Sequence, residues 1–383
     1  MIVKWGRTLL ARRDTAFVLG LFLFLLLDFS AKSLDRMMRP APASQIHLSI
    51  RVPDPDFDHG IRPNAAGVER YGDQRADYFS NSMGLRDRQI REVPLRSSLP
   101  RFLFMGDSMT EAGPVPWEKT FVGRLQERWQ GQADVLNGAV VDFGPSLILP
   151  KLRTLMERQR LQTDYVVVVL NPSIIRTAYT YAEGENGRVQ HRRYGPYQDR
   201  ADFLGRTEKV ETWLENGVER RFVLLGALVR NLRLTWRKWH PDTRAMDRLK
   251  MWVEDPSRAN AEEHGLMQTG IRRTEASLDR ILEFLKSRNS SLILVFLPWP
   301  KMILNPANGS QIAEDLDVWA KKRRVLFLDL SAEMRQQPNL PEAAGKYFLR
   351  NDNHFTEEGH AWVADMLAEK ISPGSPACPE TSP

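Results

Sequence analysis

A three-layer α/β sandwich around a parallel sheet of about five strands is the fold this sequence predicts. Three observations predict it. Nearly continuous runs of Val, Leu, Ile and Phe, such as Tyr165–Leu170 and Leu292–Leu297, suit strands buried on both faces. Amphipathic helical stretches separate them. The same alternation then resumes in the last third of the chain. In order, the pattern gives a strand at 101–105, a helix near Pro116–Gln130, a strand at Asp134–Asn137, a helix around Ser146–Gln159 and the strand Tyr165–Leu170. It continues with helix Ile271–Arg288, strand Leu292–Leu297, helix Ser310–Arg323, strand Val325–Leu330 and a final helix after Gly359. Five strands joined by helical crossovers make a flavodoxin-like arrangement, in which functional groups gather at the carboxyl ends of the strands.

The amino end carries a different signal. Ala16 to Leu27 is an unbroken apolar run, extended by Thr15 and by Phe29-Ser-Ala31 beyond Asp28. Spanning a bilayer takes about 20 residues, which the run reaches with its flanks. Lys4, Arg7, Arg12 and Arg13 precede it, so the positive-inside rule keeps the short tail in the cytoplasm. Asp28-Phe-Ser-Ala31 fails as a small-x-small cleavage site at its first position, and Ala41-Pro-Ala43 lies too far on, which favours an uncleaved anchor over a signal peptide. The expected organisation is a tail at 1–14, one transmembrane helix at 15–32, a Pro-, Asp- and Arg-rich stalk at 33–77, the α/β domain at 78–372 with an insertion at about 175–270, and a disordered tail at 373–383.

Composition narrows the function classes. The chain has 383 residues and a formal charge of +6, but its 54 Lys and Arg are scattered among 48 acids. No basic run interleaved with aromatics suggests nucleic acid. The lone cysteine, Cys378, excludes an intrachain disulfide. No Cys/His metal-ligand spacing, no phosphate-binding Gly-rich loop and no internal repeat occurs, so no cofactor and no metal is expected.

The chemistry is concentrated in two places. Phe102-Leu-Phe-Met-Gly106-Asp107-Ser108-Met-Thr-Glu111 runs a strand into a sharp turn that presents a hydroxyl. Far downstream, Asp352-Asn-His354 sets a carboxylate and an imidazole two positions apart before a helix. A serine hydroxyl needs an imidazole as general base, and the imidazole needs a carboxylate to hold its tautomer. Gly106 permits a backbone path that a Cβ would obstruct, and a helix opening at Ser108 points N–H groups at developing negative charge. Read without its partners, Gly106-Asp107-Ser108 is equally an ordinary strand-to-helix turn with a capping residue. His360 reads as a packed or capping histidine, and Asp142 as a turn residue rather than a catalytic acid.

Gly106-Asp107-Ser108 and Asp352-x-His354 followed by Gly359-His360, with the lead-in Asn81-Ser-Met-Gly84-Leu-Arg86-Asp87, resemble the SGNH/GDSL hydrolase superfamily, in particular its membrane-anchored bacterial branch. The resemblance covers about residues 78–180 and 290–370. It implies a serine esterase in which Ser108 attacks, His354 shuttles the proton and Asp352 orients His354. Two blocks depart from the family pattern. Asp142, in Asn137-Gly-Ala-Val-Val-Asp142-Phe-Gly144, stands where a Gly N–H usually helps bind the oxyanion. Asn171-Pro-Ser173 replaces Gly-x-Asn-Asp, so that either Asn171 has slid or Ser173 substitutes. The implied oxyanion donors are the N–H of Ser108, that of Asp142, and a side chain from Asn171 or Ser173.

The resemblance further implies an acylated, in particular acetylated, surface or exported polysaccharide as substrate, by hydrolysis or acetyl transfer. Partners would be the lipid bilayer through the anchor and proteins of polysaccharide export or modification. The location would be the bacterial inner membrane, with the domain periplasmic or extracellular. A lipase or thioesterase of the same fold, and a degenerate glycan-binding scaffold, are the alternatives. In the insertion, Arg221–Trp239 is amphipathic and suits a lid, an accessory helical layer or an interfacial helix.

Overall fold

Two layers of local logic build the domain: β-branched runs that must be covered on both faces, and a half-covered wing that precedes them. The computed structural model describes residues 50–71, 74–184, 187–192, 261–305, 310–350 and 352–373. The expected anchor, the amphipathic stretch at 221–239 and all but the first residue of the carboxyl tail lie outside the described residues. Among the described residues no helix is long and apolar enough to cross a membrane.

A hairpin, β1 (Arg51–Asp54) and β2 (Asp58–Ile61), leads into β3 (Ala66–Tyr71), β4 (Gln74–Ser80) and the two-residue β5 (Arg86–Asp87). Next come β6 (Arg101–Met105), α1 (Ser108–Glu111), α2 (Phe121–Arg128), β7 (Asp134–Asn137) and α3 (Pro145–Arg153), the last continued by a π turn at Thr154–Arg158. β8 (Tyr165–Leu170), α4 (Ile174–Thr180), the small pair β9 (Tyr181–Glu183) and β10 (Val189–His191), and α5 (Ala261–Lys286) follow. The chain continues through β11 (Ser291–Phe296), α6 (Pro300–Leu304), α7 (Ser310–Arg323), β12 (Leu326–Asp329), α8 (Leu330–Met334), α9 (Leu340–Tyr347) and α10 (Glu357–Lys370).

The main sheet has eight strands in the order β12-β11-β8-β6-β7-β5-β4-β3. The five expected strands are its parallel part. β5, β4 and β3 extend it by antiparallel pairing, β5 touching β7 through Arg86 and Asn137. Val166–Leu170 and Leu292–Phe296 are buried without a break. Because side chains alternate between faces, both faces there are covered.

Residues 50–77 therefore do not form the expected stalk. They supply a hairpin and most of the antiparallel wing. Pro53 is tolerated because β1 belongs to a two-stranded hairpin, outside the main sheet. In β4, Ala76, Tyr78 and Ser80 are buried while Arg75 and Asp77 face outward, a one-faced pattern with little apolar content. The helix expected from Ile271 begins at Ala261.

At the carboxyl end, α10 packs on α2. His360, 2% exposed, stacks on Phe121 at 5.8 Å and meets Phe355 edge-on at 5.7 Å. Burial, then the charges of Arg86 and His354, push its pKa down to about 3. The folded state thus holds His360 neutral while the unfolded chain protonates near 6.5, so stability contributed above that value is lost as the pH falls toward 3. His360→Gln is expected to flatten the decline of the urea midpoint between pH 6.5 and 3. An unchanged slope would place the acid sensitivity elsewhere.

Candidate functional site

β6 delivers the serine through a turn that only glycine allows. A Cβ on Gly106 would lie 2.5 Å from Thr110 Oγ1 and 2.9 Å from the Val169 carbonyl oxygen, so the turn and β8 approach too closely for any side chain. Asp107 caps the following turn, its Oδ1 accepting the Met109 N–H at 3.0 Å. Its carbonyl takes the N–H groups of Thr110 and Glu111. The expectation of several free N–H groups at a helix start needs correction. α1 is a single turn, and Ser108 alone keeps an N–H without a partner among the described residues.

The sequence-predicted triad residues converge. His354 Nε2 lies 2.9 Å from Ser108 Oγ, and His354 Nδ1 lies 2.6 Å from Asp352 Oδ1. The same carboxylate oxygen accepts the His354 backbone N–H at 2.8 Å, which fixes imidazole and carboxylate in one tight turn. Nδ1–H donates to Asp352, so Nε2 is left to accept the serine proton. The loop is anchored by the Leu349 N–H donating to the His354 carbonyl and by the Thr356 N–H donating to Tyr347. Gly359 lets α10 start there, because a Cβ would sit 2.1 Å from the Tyr347 carbonyl oxygen. Ser108 follows β6 and Asn171 follows β8, neighbouring strands from which the chain departs in opposite directions along the sheet. The site therefore occupies the topological switch point.

The two departing blocks resolve differently. Asn171 Nδ2 and Ser173 Oγ both donate to Asp107 Oδ2 at 2.8 Å. Ser173 has spent its only hydroxyl proton there, so it is not an oxyanion donor in this arrangement. Asn171 has a second amide proton and retains donor capacity. Asp142 adopts φ 62°, a left-handed conformation that glycine takes freely and Asp tolerates better than most residues. Its carboxylate accepts from Arg176 Nη2, so the negative charge near the serine is neutralised. Burial opposes the charge on Arg176, but the Asp142 carboxylate outweighs it and holds the guanidinium pKa above its ordinary value.

These groups line a cleft of about 460 Å³, whose walls include Met109, Val115, Trp299 and Phe355 and whose other members include Arg51 and Glu69. Arg51, Glu69, Arg176 and Trp299 were not singled out from the sequence. Arg51 and Glu69 sit in the presumed stalk. Arg176 follows the third block by a few residues, and its pairing with the unexpected Asp142 was the available signal.

No protein-family model and no curated protein matches the chain. Among solved structures, an acetylxylan esterase from Geobacillus stearothermophilus is similar at 14% identity and TM-score 0.39, covering 73% of this chain and 97% of its own. A second acetyl xylan esterase gives 13% and 0.40, covering 71% and 99%. A protein described as lipolytic and of the G-D-S-L family, from Desulfitobacterium hafniense, gives 11% and 0.37, covering 70% and 98%. Likenesses this distant carry neither substrate nor mechanism, which rest on the geometry above.

The Asp142–Arg176 pair yields a double-mutant test. Asp142→Gly removes the charge and suits the positive φ, so turnover of p-nitrophenyl acetate is expected to be kept or raised. Arg176→Ala removes the guanidinium that Asp142 binds and is expected to lower kcat about tenfold, an effect that vanishes in the Asp142→Gly background. Equal losses in both backgrounds would assign Arg176 another role.

Proposed function

We propose that this chain is a serine ester hydrolase of the SGNH/GDSL type. The single observation that carries the reading is the hydrogen-bonded series Ser108 Oγ, His354 Nε2, His354 Nδ1 and Asp352 Oδ1, with Ser108 and His354 lining a cleft. In the proposed reaction His354 removes the Ser108 proton as Oγ attacks the ester carbonyl. The tetrahedral oxyanion is held by the Ser108 N–H, the Asp142 N–H and the second amide proton of Asn171. His354 then protonates the leaving alkoxide, and a water molecule, activated in the same way, releases the acid.

The substrate class we propose is an acyl ester, in particular an acetyl ester, on a surface or exported polysaccharide. The sequence resemblance supports it. Passing the acetyl group to a second sugar hydroxyl, rather than to water, is the transferase version of the same site. The membrane-anchored placement, with the domain outside the inner membrane, rests on the apolar run Ala16–Leu27 and the preceding basic residues. The second reading, a lipase or thioesterase, is supported by one observation, the apolar cleft wall of Met109, Val115, Trp299 and Phe355.

Treating the full chain with a fluorophosphonate probe and mapping the adduct by peptide mass spectrometry tests the reading. Labelling is expected at Ser108, absent in Ser108→Ala, and reduced at least about a thousandfold in rate in His354→Ala. An unlabelled Ser108 in folded protein would sink the hydrolase reading in favour of a binding or scaffold role. Nitrophenyl esters of increasing chain length decide the acyl class: a maximum at acetate supports the carbohydrate esterase, a maximum at long chains the lipase.

A further inference from the structure

The peptide that offers the Asp142 N–H is held from outside the hydrolase motifs. His59, on β2, is 4% exposed, and its Nε2 lies 2.9 Å from the Val141 carbonyl oxygen. Its Nδ1 lies 2.7 Å from Asp58 Oδ2. A carbonyl oxygen only accepts, so Nε2 carries a proton whichever way the Asp58–Nδ1 proton is shared. On its other side Val141 donates its own N–H to Glu111 Oε2 at 2.6 Å. Both hydrogen-bonding groups of this one residue are therefore fixed by side chains, neither of which belongs to the triad.

Geometry converts that hold into direction. In a trans peptide the carbonyl and the following N–H point opposite ways, and no cis peptide occurs among the described residues. Drawing the Val141 oxygen toward His59 turns the Asp142 N–H away from His59. Val141 and Asp142 line the cleft together with Ser108 and His354. A flip of this peptide would exchange the donor for a carbonyl dipole and disfavour negative charge at the same spot. Asp142, at φ 62°, sits in a sparsely populated backbone region that persists where its surroundings hold it.

We propose that His59, oriented by Asp58, is a positioning residue for the oxyanion: through the Val141 carbonyl it sets the orientation of the Asp142 N–H. The inference rests on the esterase reading and deepens it. The competing explanation is packing alone, since His59 also meets Phe143 edge-on at 5.3 Å and lies 6.3 Å from Tyr181.

Steady-state hydrolysis of p-nitrophenyl acetate by the full chain and by His59→Phe, His59→Gln and Asp58→Asn separates the two, with melting temperatures measured alongside. His59→Phe keeps an aromatic ring but has no donor, and is expected to lose about ten- to hundredfold in kcat, part of what a whole oxyanion donor contributes. KM should stay within about twofold, because ground-state binding is untouched. His59→Gln places an amide N–H near the position of Nε2 and should recover to within about threefold of wild-type kcat. Wild-type kcat in folded His59→Phe, or equal impairment of the Phe and Gln variants, overturns the proposal. Should His59→Phe fail to fold, Asp58→Asn replaces it: a kcat loss at unchanged KM supports the hold, and wild-type kcat overturns it. Absence of His354-dependent turnover in the wild-type chain would overturn the esterase reading and this inference with it, whereas wild-type turnover indifferent to His59 overturns this inference alone.

Discussion

The Glu111 carboxylate is the point on which the surrounding structure turns. It is 1% exposed and accepts from the Tyr78 hydroxyl at 2.7 Å, from Arg51 Nη2 at 2.6 Å and from the Val141 N–H at 2.6 Å, while its backbone carbonyl accepts from Arg86. One residue on the serine's own helical turn, through its carboxylate and its backbone carbonyl, thus ties together β1, β4, β5 and the loop after β7. Burial alone would raise its pKa. Arg51, followed by hydrogen bonds from Arg51 and Tyr78, overcomes this and holds the group below the usual carboxylate range. Glu69, sharing the same guanidinium at 2.8 Å, moves the other way, because burial and the Glu111 charge both act against its ionisation. Deleting one member of such a cluster strands a charge in a dry interior at about 3–5 kcal/mol, while the intact cluster is weak evidence of net stability.

The acidic groups around Ser108 show the same discipline. Asp107 is committed to Met109, Asn171 and Ser173, and Asp142 to Arg176. Asp352 is aligned with the imidazole through a single oxygen. A carboxylate without partners beside a developing oxyanion would raise the barrier by repulsion. Here each carries donors, and the departures from the family pattern in the second and third blocks leave at least the Ser108 N–H and an Asn171 amide proton available. Altered motifs are thus compatible with the proposed chemistry.

What was legible in the sequence follows from how local each signal is. Tyr165–Leu170 and Ser291–Phe296 announce themselves because strands covered on both faces must be apolar throughout. Asp352 and His354 are two residues apart, so their pairing needs no tertiary knowledge. The antiparallel wing was hidden for the converse reason. β5 has two residues, β4 buries one face only, and Pro53 with Pro55 mimics a linker. Arg51 and His59 reach the site through the β1–β2 hairpin and Glu69 through the wing, and no local pattern reports a contact made across the fold. The left-handed backbone at Asp142 was equally invisible, since Asp is common in turns of several kinds.

The wing also sets the electrostatic background of the cleft. Arg51 Nε and Nη1 and Lys151 Nζ are buried with no hydrogen-bond partner among the described residues, Lys151 lying over the Phe143 ring. Arg51 cannot shed its charge, whereas burial brings the Lys151 pKa down to about 7, with Glu111 and Asp54 acting against that fall and Arg51 reinforcing it. The interior beside Glu111 thus contains a fixed cation, Arg51, and a lysine whose burial works against its charge. Glu111 and Arg51 share the cleft with Ser108. In the proposed reaction the negative charge develops on the carbonyl oxygen next to Ser108, where prearranged dipoles and charges act without reorganising. Through Arg51 and Glu69 the strands before the first motif thus place charged groups in the cleft that holds the nucleophile.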